Sequence, residues 1–307
     1  MTPAPTVPLA DALARGPLVL DGGLSNQLAA QGCDLSDALW SARLLADDPG
    51  QIERAHAAYV RAGAQVLITS SYQATFEGFA RRGLGRSQAA ELLRRSVELA
   101  RSAAEKEAPE KEVWVAASVG PYGAFLADGS EYRGRYGLSA AELERFHRPR
   151  IEALVEAEPD VLALETVPDI AEAEALLRAV AGCGVPVWLS YSAAGGRTRA
   201  GQPLREAFAL AEGNDQVVAV GVNCCTPADA DEAVRTAAEA ARKPVVVYPN
   251  SGEEWDAAAR SWKGEPAFTA DRVTAWREAG ARLVGGCCRV GPDEIAALAR
   301  ALGAGRA

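Results

Sequence analysis

The sequence predicts an α/β fold, a (β/α)8 TIM barrel formed by a single domain over residues 1–307, and three observations support this fold class. Eight short apolar runs recur along the 307 residues, each followed by a loop and a helical stretch rich in Ala, Leu, Glu and Arg. The runs are continuously apolar rather than alternating, as in strands that are buried on both faces. Eight strand–helix units in about 250–300 residues are the usual content of such a barrel.

The predicted strands are spaced so that a helix fits between each one and the next. They cover residues 18–20, 66–69, 113–118, 161–164, 185–190, 217–222, 245–248 and 283–284. Helix-start signals lie in the gaps: Ser139 and Glu142 form a capping-box pattern, and Pro227 and Pro292 occupy first helical positions. This alternation of elements fits the barrel.

A doubly wound open sheet is the structural alternative, and the first predicted strand argues against it. Such a sheet would need a glycine fingerprint at its first turn, which Asp21-Gly22-Gly23-Leu24 does not supply. Two loops are unusually long, residues 121–138 after the third strand and residues 248–268 after the seventh. Both follow strand C-termini, where barrel enzymes place their sites, and loops of this length are usually functional or disordered.

Composition and charge exclude several classes of protein. Half of the chain, 49%, is hydrophobic, 24% is charged, and the net charge is -9. No basic block is present to neutralise phosphates, so we expect no nucleic-acid partner. The uncharged stretches are too short and too broken by Gly and Pro to span a membrane, so no membrane partner is expected. The N-terminus lacks the basic start and apolar core of a signal peptide, which predicts a cytoplasmic protein.

Polar residues and cysteines follow the predicted strands at the end where barrel strands converge. They are Asp21, Gly22 and Gly23 after the first strand, Thr69 and Ser71 after the second, Glu165 after the fourth, Cys224 and Cys225 after the sixth, and Cys287 and Cys288 after the eighth. Four of the six cysteines therefore meet at one rim. Three thiolates with one open position are typical of a catalytic zinc site. Spacing alone leaves a second interpretation open, thiol pairs that are packed or redox-active and hold no metal.

The two histidines do not add to this site. His56 and His147 both fall inside predicted helices, away from the strand ends. Neither is expected to be a zinc ligand.

The order of these motifs resembles the homocysteine S-methyltransferase family, in particular its enzymes that use S-methylmethionine. The matching segments are residues 21–23 (Asp-Gly-Gly), 68–75 (Ile-Thr-Ser-Ser-Tyr-Gln-Ala-Thr), 120–124 (Gly-Pro-Tyr-Gly-Ala), 126–132 (Leu-Ala-Asp-Gly-Ser-Glu-Tyr), 164–166 (Leu-Glu-Thr), 221–224 (Gly-Val-Asn-Cys), 248–252 (Tyr-Pro-Asn-Ser-Gly) and 285–288 (Gly-Gly-Cys-Cys). They cover almost the whole chain. The most specific feature is Val-Asn-Cys followed some sixty positions later by Gly-Gly-Cys-Cys.

The resemblance implies a barrel with one catalytic Zn²⁺ held by Cys224, Cys287 and Cys288. Cys225 has no ligand role in the family pattern and is expected to point elsewhere. One segment departs from the family: residues 26–28 read Asn-Gln-Leu where relatives often carry Thr-Glu-Leu. This difference concerns contacts just beyond Gly23 and leaves the implied metal ligands intact.

The implied reaction is zinc-dependent transfer of a methyl group from a sulfonium donor to L-homocysteine, which forms methionine. S-methylmethionine is the expected donor and S-adenosylmethionine a second candidate. A free thiol has a pKa near 8.5 and is mostly protonated at neutral pH, and coordination to zinc deprotonates it. All-sulfur ligation then keeps the substrate sulfur electron-rich.

The rest of the substrate also needs partners in the chain. Asp21 and Glu165 are the candidates for the ammonium group, with a structural pair or an Asp21 turn cap as the alternative. The backbone N–H groups of Gly22 and Gly23 are a candidate nest for the carboxylate. The hydroxyls of Thr69 and Ser71 are further candidates, unless they are plain strand-end polar residues.

Two other functions stay open at this point. The acceptor could be another thiol or a selenol, or the thiol pairs could form a non-catalytic zinc or redox sensor. Small molecules are the expected partners in the enzyme interpretation, and the sequence does not define an oligomeric state.

Overall fold

The computed structural model describes residues 5–35, 39, 41–256, 261–263 and 266–303. Its largest sheet contains eight parallel strands. They are β1 Leu18–Val19, β2 Val66–Ile68, β3 Trp114–Val119, β4 Val161–Val167, β5 Val187–Tyr191, β6 Val217–Asn223, β7 Val245–Tyr248 and β8 Ala281–Val284. Each strand pairs in parallel with the next one along the chain from β2 to β8, and β8 pairs with β1. The predicted (β/α)8 barrel is thereby confirmed, and the doubly wound alternative is excluded.

The barrel closes between β1 and β2 through a short junction. Leu20 forms a single parallel bridge with Val66 just beyond β1. The Asp21 N–H donates to Val66 O at 3.0 Å, and the Gln65 N–H donates to Val19 O at 2.8 Å. This junction has the fewest paired residues in the ring.

Helices cover the outside of the barrel. Along the described chain they are α1 Leu9–Arg15, α2 Leu24–Ala30, α3 Ser41–Asp47, α4 Pro49–Arg61, α5 Phe76–Arg81, α6 Arg86–Glu107, α7 Tyr122–Leu126, α8 Ala140–Val155, α9 Ile170–Val180, α10 Leu204–Ala209, α11 Pro227–Ala241, α12 Ala270–Glu278 and α13 Pro292–Leu302. The predicted capping box at Ser139 starts α8, and Pro227 and Pro292 are the first residues of α11 and α13. Within the described residues, no helix combines the length and apolar character needed to cross a bilayer.

Alternate residues along each strand enter two different layers of the core. In β3, Trp114 and Ala116 belong to the barrel interior, whereas Val115 and Ala117 pack against the surrounding helices. The N-terminal end of the interior is covered by α1, where Leu9 and Leu13 join the inner cluster. Because that end is filled, the accessible cavity lies at the C-terminal ends of the strands.

The two long loops of the sequence are partly ordered into short elements. The loop at residues 121–138 contains α7 and a 3-10 helix, Ser130–Tyr132. The loop at residues 248–268 contains an antiparallel hairpin of Glu254–Asp256 and Ser261–Lys263. Residues 257–260 and 264–265 of this predicted loop lie outside the described residues.

Two strands, β4 and β6, extend further towards their C-termini than predicted. β4 continues to Val167 and β6 continues to Asn223, so Glu165 and Asn223 lie within strands rather than after them. The predicted runs stop where polar side chains begin. At the mouth of a barrel, however, the backbone continues its ladder while polar side chains already face the cavity.

Candidate metal and amino-acid site

A cavity opens at the C-terminal ends of the barrel strands. Its volume is about 850 Å³, including the space open to solvent, which is within the usual range for small-molecule sites. The lining residues are Gly22–Asn26, Ile68–Ser70, Tyr72, Gln73, Glu131, Tyr132, Glu165, Thr166, Asn223, Cys224, Tyr248 and Gly286–Cys288. They come from loops after five different strands and from the strand ends themselves.

Three cysteines converge on one wall of this cavity. The Sγ atoms of Cys224, Cys287 and Cys288 lie within 4.8 Å of one another, and they are the one group of this kind among the described residues. The Sγ atoms of Cys224 and Cys287 are 2.7 Å apart, and all three cysteines are free thiols. Hydrogen bonds from the Cys224 and Cys287 thiols lower the pKa of Cys288 well below its usual range. One member of the cluster is therefore prepared to be a thiolate.

Backbone contacts between the loops after β7 and β8 hold the cysteine pair in place. The Cys287 N–H donates to Pro249 O at 2.8 Å, and the Cys288 N–H donates to Asn250 Oδ1 at 3.2 Å. Cys224, at the end of β6, has φ 49°, a left-handed conformation that is uncommon outside glycine. Strained backbone of this kind concentrates at functional sites. Here it directs the Cys224 side chain towards the pair from β8.

Cys225 is placed away from the cluster, as the sequence predicted. It is fully buried and packs in the layer between strands and helices. Burial raises the pKa of its thiol to about 12. Its sulfur is therefore not a candidate ligand, and it behaves as a small apolar residue.

The three-cysteine cluster fits a soft metal ion. Tetrahedral zinc with bonds of about 2.3 Å to sulfur separates its thiolates by roughly 3.8 Å. The observed cluster spans that separation, although the Cys224–Cys287 pair would have to open. Within the described residues, neither histidine nor carboxylate joins the cluster: His56 lies in α4 and His147 in α8, both fully buried. An all-sulfur donor set is typical of zinc among common metals.

Glu165 is a carboxyl residue of the same lining. It accepts hydrogen bonds from the hydroxyls of Ser118 and Tyr248, the latter at 3.0 Å. Burial raises the pKa of its carboxyl to about 7 despite these two donors. A buried carboxylate in this state is well suited to pair with a cationic group of a ligand.

Asp21 is buried and is not among the residues that line the cavity. Its Oδ2 atom accepts from the Ile68 N–H at 2.9 Å, and Oδ1 is buried without a hydrogen-bond partner in the described structure. Burial raises the pKa of the carboxyl well above its usual value, and the charge of Glu165 adds to this effect. The two carboxylates thus act on each other, and Asp21 has one oxygen left for a ligand.

The predicted glycine nest needs a correction. The Gly23 N–H donates to Val290 O at 2.9 Å, so it is not available to a substrate carboxylate. What the two glycines provide is close packing. A Cβ on Gly22 would lie 2.2 Å from Val290 O, and a Cβ on Gly23 would lie 2.5 Å from Cys287 O. The glycine pair therefore lets the first loop approach the cysteine loop.

The two predicted hydroxyl residues after β2 have different roles in the structure. Thr69 lines the cavity, whereas Ser71 does not. Their hydroxyl oxygens are 2.7 Å apart, Ser71 Oγ donates to Ser118 O, and the Ser118 N–H donates to Thr69 Oγ1. Ser71 is therefore a structural residue that ties β2 to β3, which was the alternative interpretation.

A buried polar network behind the cavity was not resolved from the sequence. Asn223 Oδ1 accepts from the Thr166 N–H at 2.7 Å and from Ser190 Oγ at 2.8 Å, and its Nδ2 donates to Thr166 Oγ1 at 2.7 Å. Ser190 also hydrogen-bonds the Tyr248 hydroxyl, which donates to Glu165. The network connects β4, β5, β6 and β7 and fixes the orientation of Glu165.

Three further lining residues were absent from the predicted site. Tyr72 follows β2, and Glu131 and Tyr132 lie on the 3-10 helix of the 121–138 loop. The unusual length of the 121–138 loop predicted that this loop is functional, but it did not predict which of its side chains line the cavity.

Comparisons with known proteins agree with one another. The family model described as homocysteine S-methyltransferase matches residues 18–302. The homocysteine S-methyltransferase of Escherichia coli (strain K12) is 47% identical over 290 residues, covering 92% of this chain and 94% of its own. The homocysteine S-methyltransferase YbgG of Bacillus subtilis (strain 168) is 42% identical over 299 residues, covering 93% and 95%.

Solved structures give the same result. The metallated form of the homocysteine methyltransferase MmuM from Escherichia coli has a TM-score of 0.86 at 45% identity, covering 95% of this chain and 99% of that chain. The apo form of the same protein has a TM-score of 0.77 at 36% identity, covering 96% and 100%.

Proposed function

The chain belongs to the homocysteine S-methyltransferase family, and we propose that it transfers a methyl group from S-methylmethionine to L-homocysteine in a zinc-dependent reaction. The bond between the donor sulfonium sulfur and its methyl group breaks, and a bond from that methyl to the homocysteine sulfur forms. The thiol proton of homocysteine passes to solvent, and both products are methionine. S-adenosylmethionine is the second candidate donor.

The observation that carries this proposal is the three-cysteine cluster beside Glu165 in one cavity. Cys224, Cys287 and Cys288 would hold Zn²⁺, and the existence of a metallated form of MmuM, which is 45% identical to this chain, supports the proposal of a metal. Bound zinc would supply a thiolate form of homocysteine at neutral pH, because coordination to zinc deprotonates a thiol.

The carboxylates would hold the other end of homocysteine. Glu165, fixed by Ser118 and Tyr248, lines the cavity, and Asp21 has a buried oxygen without a hydrogen-bond partner in the described structure. An ammonium group bound between them would satisfy that oxygen and favour the charged form of both carboxyls. The same contact would fix the distance of the substrate sulfur from the cysteines.

The surroundings suit a reaction in which charge disappears. A thiolate and a sulfonium combine to give two neutral sulfides, so a water-poor site favours the transition state. Cys224, Glu165 and Tyr248 are all buried at the base of the cavity. No general acid is needed, because the departing sulfide leaves as a neutral molecule.

A donor panel with homocysteine, run with and without a zinc chelator, tests the proposed activity. We expect methionine formation with S-methylmethionine and its loss on chelation. Cys287→Ser should lose both metal and turnover.

Glu165→Ala tests the acceptor assignment. We expect the KM for homocysteine to rise by about tenfold or more, because a charge-assisted hydrogen bond is removed, while zinc content stays near one per chain. Unchanged homocysteine kinetics would show that Glu165 does not bind this substrate, and a different thiol or a selenol would then be the acceptor to test.

The cysteine geometry disfavours the sensor interpretation. A sensor built from two thiol pairs needs four equivalent thiols, and Cys225 is buried away from the other three. All six cysteines are free thiols, which supports the proposal of a reducing, cytoplasmic location. The match over residues 18–302 supports the proposal that one domain carries the activity.

A further inference from the structure

Glu131 is an acidic residue of the cavity that the proposed acceptor site does not use. It lies on the 3-10 helix Ser130–Tyr132, lines the cavity, and is 7% exposed. Its Oε2 atom is buried and has no hydrogen-bond partner in the described structure. A buried carboxylate oxygen without a partner is costly, and a bound cationic ligand would offset that cost.

The electrostatic surroundings make this cost larger. Burial raises the pKa of the Glu131 carboxyl, and the charges of Asp128 and Cys288 raise it further. The charged groups that act on Glu131 are thus of its own sign. Glu131 and Cys288 also line the same cavity.

The backbone holds Glu131 firmly in this position. A Cβ on Gly123 of α7 would lie 2.3 Å from Glu131 N and 2.7 Å from its Cα, so α7 is packed directly against this residue. The Tyr132 and Arg133 N–H groups close the turn by donating to Gly129 O at 3.1 Å and Ser130 O at 3.0 Å. The carboxylate is therefore presented by a constrained turn and not by a flexible loop.

We propose that Glu131 is the countercharge for the sulfonium group of the methyl donor. This inference rests on the proposed function and deepens it by assigning the donor side of the cavity. Three cationic groups must enter this cavity: the ammonium groups of homocysteine and of the donor, and the donor sulfonium. Glu165 and Asp21 serve the homocysteine ammonium, and Glu131, which lines the same cavity as Cys224, Cys287 and Cys288, serves the sulfonium. The next residue, Tyr132, also lines the cavity, is 41% exposed and has the Arg199 guanidinium 5.4 Å from its ring centroid.

This assignment predicts a specific kinetic pattern. The sulfonium charge is present in the bound donor and is partly lost in the transition state. Glu131 therefore stabilises the bound donor more than the transition state, so its removal raises the donor KM without lowering kcat. A residue that merely supported the fold would lower kcat or affect both substrates.

The test compares Glu131→Gln with the wild type in the zinc-loaded enzyme. The glutamine is nearly isosteric and removes only the charge, and Glu131→Asp keeps the charge in a shorter side chain. Glu98→Gln on α6 is the matched control, since it removes one exposed glutamate charge far from the cavity. Each variant is assayed with either substrate varied. Calorimetric titration without homocysteine measures binding of S-methylmethionine and of methionine, which lacks the sulfonium charge.

For Glu131→Gln we expect the donor KM to rise at least tenfold, with kcat equal to or above that of the wild type and the homocysteine KM within twofold. Binding of S-methylmethionine should weaken at least tenfold, and binding of methionine should change less than twofold. Glu131→Asp should fall between the wild type and Glu131→Gln, and Glu98→Gln should match the wild type.

Other outcomes overturn the inference. Equal weakening of methionine and S-methylmethionine would assign Glu131 to an ammonium group, and a raised homocysteine KM would assign it to the acceptor. A lower kcat with an unchanged donor KM would also contradict it. Failure of the wild type to use any sulfonium donor would instead contradict the proposed function itself.

Discussion

At the scale of single residues, adjacent cysteines have opposite environments. Cys224 faces the cavity from a left-handed backbone conformation, whereas Cys225 is buried between strands and helices with a pKa of about 12. The sequence shows only two neighbouring thiols. What separates their roles is where each side chain lies: Cys224 lines the cavity, whereas Cys225 packs in the layer between strands and helices.

This difference predicts that Cys225→Ala keeps its metal while Cys288→Ala does not. Loss of the buried Cys225 thiol removes apolar packing, so we expect the free energy of unfolding to fall by about 1 kcal/mol. Zinc content should stay near one per chain, and turnover should stay within about twofold of the wild type. Metal analysis after dialysis and the free energy of unfolding measure these effects. Loss of zinc from Cys225→Ala would return the protein to the four-thiol sensor interpretation.

At the scale of elements, the β1–α2 turn and the loop after β8 are packed so closely that neither Gly22 nor Gly23 has room for a Cβ. Gly22 faces Val290 O and Gly23 faces Cys287 O, at distances that exclude a Cβ. The shape of the metal site therefore depends on a turn that supplies no ligand to it.

Gly23→Ala tests this dependence. The added Cβ would lie 2.5 Å from Cys287 O, so the cysteine loop must move. We expect a loss of about 1–3 kcal/mol in the free energy of unfolding, typical of overpacking, and at least a tenfold fall in zinc affinity measured by competition with a chelator. Gly16→Ala is the control, because a Cβ there meets no atom within 4 Å. If Gly23→Ala binds zinc like the control, the close packing does not shape the site.

At the scale of the whole molecule, the buried carboxyls of the cavity connect ligand recognition with stability. Burial raises the pKa of Glu165 to about 7 from a reference of 4.5. Between these values the folded metal-free protein binds more protons than the unfolded chain. The stabilisation from this group is therefore fully present below about pH 4.5 and is lost as the pH rises through about 7.

We expect this loss of stability with rising pH to be measurable in the metal-free protein without substrate. Between pH 4.5 and 7 the free energy of unfolding of the wild type should fall relative to that of Glu165→Gln by on the order of 3 kcal/mol. Denaturant titrations at several pH values give both curves. Parallel curves for the two proteins would show that Glu165 keeps an ordinary pKa in the folded state.

The fold could be predicted from the sequence because its signal is repeated eight times. The continuous apolar runs predicted the number and order of the strands. The short polar motifs after these runs predicted which residues lie at the C-terminal end of the barrel. Strand ends were predicted less well at Glu165 and Asn223, because a polar side chain at a barrel mouth does not end the strand.

Only those residues of the candidate site that belong to a local sequence motif could be predicted. The cysteines were found because their spacing and family motif are specific. The roles of Ser71 and Gly23 depend on hydrogen bonds to Ser118 and Val290, which are distant in sequence. Glu131 could not be singled out, because its unpaired oxygen is a property of the folded surroundings.

The short junction between β1 and β2 has a consequence for how this scaffold can change. One Asp21 oxygen accepts from the Ile68 N–H across the junction, and the other is buried without a hydrogen-bond partner in the described structure. Asp21, which is proposed to help bind the acceptor, thus also helps to close the barrel between β1 and β2. A descendant or redesigned protein that replaced Asp21 to admit a different nutrient would also lose this hydrogen bond between β1 and β2. Changing what the mouth of the barrel accepts would therefore weaken the closure of the barrel.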